Sequence, residues 1–153
     1  MPLSRFIAFH ELPESDPPRA LAPAFAVVMA RAPTGVVLVF NRYRKVWELP
    51  GGMIDPGESA RDCAHRELVE EAECAAGALE WLGIVEVDDG RRHCGAVFAG
   101  DVAAVPTRVS NAEIDGIALW TPQWAPQPLG HADRALLERL SGGRLRGNPP
   151  QRP

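Results

Sequence analysis

Apolar residues occur in short blocks broken by turn-forming residues, and this rhythm predicts strands along most of the chain. Phe25-Ala26-Val27-Val28-Met29 and Val36-Val37-Leu38-Val39-Phe40 are two such runs separated by Pro33-Thr34-Gly35, the pattern of a hairpin of buried strands. Trp81 to Val87 and Cys94 to Val102 flank Asp88-Asp89-Gly90, where Asp-Gly is a strong hairpin signal. A further strand is predicted at Ile117-Ala118-Leu119-Trp120, closed by Pro122, and a short one near the N-terminus before an extended lead-in carrying Pro13, Pro17, Pro18 and Pro23. The period turns helical from Ser59 to about Ala75, and again from His131 to Leu140, where Leu136, Leu137 and Leu140 recur at helical spacing. Between strands and first helix, Pro50-Gly51-Gly52 is predicted to stop any regular element. The order of strands, helix, strands, helix implies an α/β fold with a mixed sheet and helices packed on it. Residues 1–140 are expected to form one domain and 141–153, rich in Gly and Pro, a flexible tail.

The composition narrows the function. At 153 residues the chain is long enough for a single core without metal or disulfide staples. Its formal charge is −4 and its only lysine is Lys45, which excludes the clustered basic face that polymeric nucleic acid requires. Cys63, Cys74 and Cys94 form no CxxC pair, so a reducing cytoplasm is the expected compartment. Met1 to His10 lacks the apolar run of a secretory signal, and no later stretch has the length of a membrane span.

The first helix carries the chemistry. Ser59 is a plausible N-cap with Asp62 three residues on. At about 100° per residue, Arg61, Asp62, His65, Arg66 and Glu73 share the solvent arc, while Glu67, Glu70 and Glu71 fall among Ala60, Cys63, Ala64, Leu68 and Cys74 on the small, apolar side. Glu67 is i,i+3 to Glu70 and i,i+4 to Glu71, an arrangement that destabilises a helix unless something positive intervenes, and the arginines are expected round the side rather than between them. A hard cation such as Mg²⁺ or Mn²⁺, which prefers carboxylate oxygen, resolves the repulsion. Upstream, Gly52 to Ser59 has the glycine spacing of a phosphate-binding P-loop but with Glu58 in place of its lysine, so this loop is built for phosphate carried by metal rather than by a cationic side chain.

At these residues the sequence resembles the Nudix hydrolase family. Gly52, Glu58, Arg66-Glu67-Leu68 and Glu70-Glu71 stand at the spacing of the family's box, preceded by Trp47-Glu48-Leu49-Pro50-Gly51. Two positions depart from it: Glu73 replaces the usual glycine and Cys74 an aliphatic residue. A left-handed cap suits Glu poorly, so the helix is expected to run on towards Gly77. The resemblance implies a three-layer α/β/α sandwich around a mixed sheet, and hydrolysis of a nucleoside diphosphate linked to another moiety. It implies that Glu67, Glu70 and Glu71 ligate Mg²⁺, with Mn²⁺ as substitute, that Gly51 and Glu58 lie at the metal, and that Glu58 pairs with Arg66. Dications there screen the pyrophosphate and acidify the attacking water. The proton acceptor is Glu70, Glu71 or, by similarity to a later loop of some members, Glu113.

Substrate contacts are expected from Arg42 and Arg44 at outer phosphates and from Trp47 as a stacking face, with an exposed basic turn and a core tryptophan as the alternatives. Asp88-Asp89-Gly90-Arg91 replaces the proline of ADP-ribose-type members, and Tyr43, the only tyrosine, is misplaced for the dinucleoside-polyphosphate type. The sequence is most similar to the MutT-like branch, which implies cleavage of a (deoxy)nucleoside triphosphate to monophosphate and pyrophosphate. Cleavage of ADP-ribose, a nucleotide sugar or a dinucleotide, and a non-catalytic nucleotide sensor, are the rival readings. The expected partners are a small nucleotide and, as among many relatives, a second copy of the chain, with neither polymeric nucleic acid nor membrane.

Overall fold

A computed structural model describes residues 4–141. Its strands are β1 (Arg5–His10), β2 (Phe25–Ala32), β3 (Gly35–Asn41), β4 (Val46–Glu48), β5 (Gly51–Met53), β6 (Glu80–Asp88), β7 (Arg92–Asp101) and β8 (Ile114–Trp120), with helices α1 (Ala60–Ala72) and α2 (His131–Leu140). The sheet runs β1-β6-β7-β2-β3-β4, with β5 paired to β2 and β8 to β3. The β2–β7 pair is parallel, Val28 facing Phe98, and the remaining pairs are antiparallel, so the sheet is mixed as expected.

Period-two alternation divides the core between the two faces of this sheet. Ala26, Val28, Val37, Val39, Ala96 and Phe98 face α1, whose Cys63, Ala64, Leu68 and Ala72 complete one cluster. Met29, Val36, Leu38, Val85, Val97 and Ala99 face the other way onto Ala132, Leu136 and Leu137 of α2. One helix on each face makes the three-layer α/β/α sandwich. Each buried Leu or Phe contributes about 1.5–3 kcal/mol by removal from water. No helix among the described residues is long and apolar enough to cross a membrane.

The feature that positions the site is a fork between β2 and β3. The two strands pair only at Arg31–Val36 and Ala32–Gly35 and then diverge. Into the opening runs the segment from Val46 to Met53, which pairs with β3 through β4 and with β2 through β5. The expectation that Pro50-Gly51-Gly52 stops regular structure is therefore corrected: Gly51 and Gly52 are strand residues. A Cβ on Gly51 would lie 2.3 Å from the Ala26 carbonyl oxygen, so glycine serves close backbone approach here rather than a turn.

The C-terminal end of α1 is a second correction. The helix stops at Ala72 and does not run on to Ala75 or Gly77, because Glu73 takes the left-handed conformation (φ 52°, ψ 34°) despite its side chain. The Glu73 N–H donates to the Val69 carbonyl at 3.1 Å and the Cys74 N–H to the Leu68 carbonyl at 3.5 Å. This sharp exit buries Cys74 in the α1 cluster and brings Ala76 into a bridge with Val102. Tertiary burial thus outweighs a local cost of about 1–2 kcal/mol. Ser141, placed with the tail by sequence, is buried and its hydroxyl donates to the Leu137 carbonyl; the rest of the expected tail lies outside the described residues. Relief of the strain at Glu73 gives a direct test: Glu73→Gly is expected to stabilise the fold by about 0.5–1 kcal/mol, read as a higher urea midpoint at unchanged slope, and an unmoved or lower midpoint would contradict the strain.

Candidate active site

The loop entering α1 is organised by charge. Ser59 caps the helix as expected, its Oγ accepting the Asp62 N–H at 3.0 Å. Glu58 receives Arg66 in a fork, Nε to Oε2 at 2.8 Å and Nη2 to Oε1 at 2.9 Å, and also accepts the Asp55 N–H at 3.1 Å. These hydrogen bonds, Arg66 foremost, hold Glu58 down to about pKa 2. The Arg66 Nη2 additionally reaches the Met53 carbonyl at 3.1 Å, tying the loop to the helix. Glu58 thus pairs with Arg66, as the resemblance implied.

Arg66 also overturns the expectation that arginines stay clear of the carboxylates. Its Nη1 donates both to Glu67 Oε1 at 2.9 Å and to Glu70 Oε2 at 3.1 Å, and so lies between two like charges. A helical wheel fixes where Cα atoms point, whereas the long arginine side chain bends back across the turn.

The three carboxylates are not equivalent. Glu67 and Glu71 are buried, 8% and 3% exposed, while Glu70 stands at the rim with its side chain 56% exposed, a correction to its expected place on the apolar flank. Glu67 rests on Gly52, where a Cβ would come within 2.3 Å of its Oε1. Glu71 accepts the Gly51 N–H at 2.8 Å. Burial raises the pKa of Glu67 against the opposing pull of Arg66. Burial also pushes Glu71 up to about 9; the Gly51 N–H opposes the shift, and the charges of Glu113, Glu67 and Glu48 add to it. Among the described residues no three His, Cys, Asp or Glu side chains are grouped so as to hold a metal ion where they stand. The donor set nonetheless suits a hard dication: carboxylate oxygens on one helical turn, one of them buried with a backbone N–H as its hydrogen-bond donor and other acids around it.

Glu113 stands exposed just before β8, and its charge is felt by Glu71, Glu67 and Glu48. The structure therefore brings it near the α1 carboxylates, on a loop that Asn111 ties to the Glu70 carbonyl at 3.3 Å. The expected substrate contacts have internal partners. The Arg42 Nη2 donates to the Asn111 carbonyl at 3.0 Å and to Ser110 Oγ at 3.2 Å, and Arg44 pairs with Glu48 at 3.5 Å. Trp47 is half-buried, its ring 5.3 Å from that of Phe40.

Three polar residues escaped sequence reasoning. Asn41, 2% exposed, donates to Glu48 at 2.8 Å, and Glu48 is raised by burial. Asp133 accepts the Leu49 N–H at 2.9 Å and is pushed up to about 7, by burial first and Glu48 next. The available signal was position: Asn41 ends an apolar run, and Asp133 lies in the first turn of a helix, where acids cap.

The buried Glu71 predicts a pH dependence. In the fold it keeps its proton to about pH 9, whereas its ordinary value is 4.5. Between these values the native state holds a proton that the unfolded chain has lost, so stability falls as pH rises, by up to about 1.4 kcal/mol per pH unit, and the penalty is complete above the folded value. In chelator, Glu71→Gln is expected to gain stability over the parent chain progressively from pH 5 to pH 9; parallel urea midpoints across that range would contradict the burial assigned to Glu71.

Comparison with known proteins agrees with this geometry. The family model described as the NUDIX domain matches residues 20–140. A provisionally named 8-oxo-dGTP diphosphatase of Bacillus subtilis is 31% identical over 91 residues, a match covering 57% of this chain and 60% of that relative, so the chain spans less than two thirds of its length. A MutT NUDIX hydrolase from Burkholderia pseudomallei superposes with a TM-score of 0.67 at 23% identity, over 76% of this chain and 95% of that one. The NUDIX domain of Shewanella oneidensis NrtR, solved with ADP ribose, gives a TM-score of 0.64 at 21% identity over 81% and 90%. With the model spanning both helices and the fork between β2 and β3, and with the acidic box read from sequence folded around Arg66, the chain belongs to the NUDIX domain family.

Proposed function

We propose that the chain is a divalent-metal-dependent pyrophosphohydrolase that cuts a (deoxy)nucleoside triphosphate to monophosphate and pyrophosphate, acting in a reducing cytoplasm. The observation that carries the reading is the grouping of buried Glu67 and Glu71 and exposed Glu70 on one helical turn beside the Gly51-Gly52 main chain, with the charge of Glu113 acting on Glu67 and Glu71. The triphosphate is supported by the name of the Bacillus subtilis relative.

Glu67, Glu70 and Glu71, with Gly51 and Glu58 beside them, would hold Mg²⁺ or Mn²⁺. Bound there, the cation supplies charge screening of the pyrophosphate and Lewis acidity at phosphorus. The Gly51 N–H fixes the orientation of Glu71, and Gly52 leaves the space that Glu67 fills. Arg66 holds Glu58, Glu67 and Glu70 in one frame, so little reorganisation is needed when charge develops. Glu113 takes the proton of the water that attacks phosphorus, the phosphorus–oxygen bond to pyrophosphate breaks, and pyrophosphate leaves with the electron pair. Trp47 supplies the stacking face for the base and Arg44 a cation towards the outer phosphates.

The test is a panel of canonical and oxidised nucleoside triphosphates, ADP-ribose, nucleotide sugars and dinucleotides, each with and without Mg²⁺, with released phosphate measured after a phosphatase step. Turnover of triphosphates is expected; turnover confined to the other classes, or binding without turnover, would overturn the assignment. Glu70→Gln and Glu71→Gln are each expected to abolish metal-dependent turnover in a folded protein, and wild-type rates in both would refute the metal set. Glu113→Gln is expected to lower kcat by about a hundredfold or more, and unchanged kinetics would remove it as the base.

A further inference from the structure

Glu113 is exposed and precedes β8, so its usefulness as a base depends on what fixes the loop that carries it. Both sides of its main chain are held. Its N–H donates to Asn111 Oδ1 at 3.0 Å, and its carbonyl accepts the Arg42 N–H at 2.8 Å. Asn111 Oδ1 also accepts the Ile114 N–H at 2.8 Å, which folds residues 111–114 into an Asx-type turn. The other end of the same amide turns outward from the loop: Asn111 Nδ2 donates to the main-chain carbonyl of Glu70, 41 positions away, at 3.3 Å. Arg42 braces the arrangement from behind through the Asn111 carbonyl and Ser110.

The Glu70 carbonyl is available for a physical reason. In a continuing α-helix it would accept the N–H of Cys74, but the left-handed turn at Glu73 sends that N–H to Leu68 instead. The early end of α1 thus exposes an acceptor on the turn that bears the carboxylates.

We infer that Asn111 is the positioning residue that sets Glu113 against the carboxylate turn of α1, one side-chain amide joining the backbone of the base-bearing loop to the backbone of Glu70. The inference rests on the reading of Glu113 as base. A turn alone needs only the Asn111 acceptor oxygen; the donor end adds a direct bond between the loop and the last turn of α1. Misplacement of a reacting group by about 1 Å can cost on the order of a hundredfold in rate, so a single amide at this junction can govern turnover.

A mutant cycle tests it. Asn111→Ala is expected to lower kcat at least about tenfold with KM little changed, and to lower it no further in a Glu113→Gln background, because the asparagine acts through the glutamate. Wild-type kcat in Asn111→Ala, or a loss that adds in full to that of Glu113→Gln, would overturn the inference. Failure of Glu113→Gln itself to slow turnover would instead remove the base, which separates the two claims. Asn111→Asp keeps the acceptor and replaces the donor with a carboxylate facing a carbonyl. By hydrogen exchange its Glu113 and Ile114 amides are expected to stay protected while kcat falls as in the alanine variant; wild-type kcat there would confine Asn111 to the turn and refute the tie to α1. If Asn111→Ala does not fold, the same cycle is read with Asn111→Asp.

Discussion

The guanidinium of Arg66 is the point at which an acidic loop and an acidic helix can coexist. It forks onto Glu58, donates to Glu67 and Glu70 from one nitrogen, and reaches the Met53 carbonyl from the other. Carboxylates spaced three and four apart on a helix repel, and burial strengthens the repulsion by lowering the dielectric around them. The rigid planar fork of arginine reaches acceptors in fixed directions over a span that the compact ammonium of lysine does not cover. That one side chain ties the loop at Met53 and Glu58 to Glu67 and Glu70 of α1.

Arg66 leaves one carboxylate outside its reach. Glu71 sits deeper, against the Gly51 N–H, because β5 enters the fork between β2 and β3 with Gly51 packed on β2 and Gly52 on Glu67 of the helix, each at a distance no side chain would permit. The result is a graded acid cluster: Glu58 held ionised, Glu70 open to solvent, and Glu71 kept neutral until something positive replaces its proton. Such divergence among neighbouring carboxyls is the usual mark of groups with separate tasks.

The end of α1 links fold and site. Burial of Cys74 and the bridge from Ala76 to Val102 draw the chain sharply away from the helix axis, and Glu73 accepts a left-handed backbone to allow it. A strained residue beside functional groups is a common arrangement, since the packing around it supplies the compensation. Here the turn also frees the Glu70 carbonyl for the loop of Asn111, so a departure from the family's glycine preserves the backbone path that glycine would give.

Periodicity and spacing alone determined the longer strands, both helices and the N-cap at Ser59, and the spacing of the acidic box carried the resemblance that implied the Glu58–Arg66 pair, because each depends on residues near one another in the chain. The fork that admits β5, the burial of Glu67 and Glu71 against the exposure of Glu70, and the bend of Arg66 between its neighbours could not be read there. Helical angles locate Cα atoms but not the tips of long side chains, and burial depends on which strand happens to lie opposite. Likewise Asn41, Glu48 and Asp133 look like ordinary polar residues until α2 and the fork enclose them. Only tertiary contact, bringing together groups as distant in sequence as Glu70 and Asn111, decided which acids are neutral, which are paired and which face solvent.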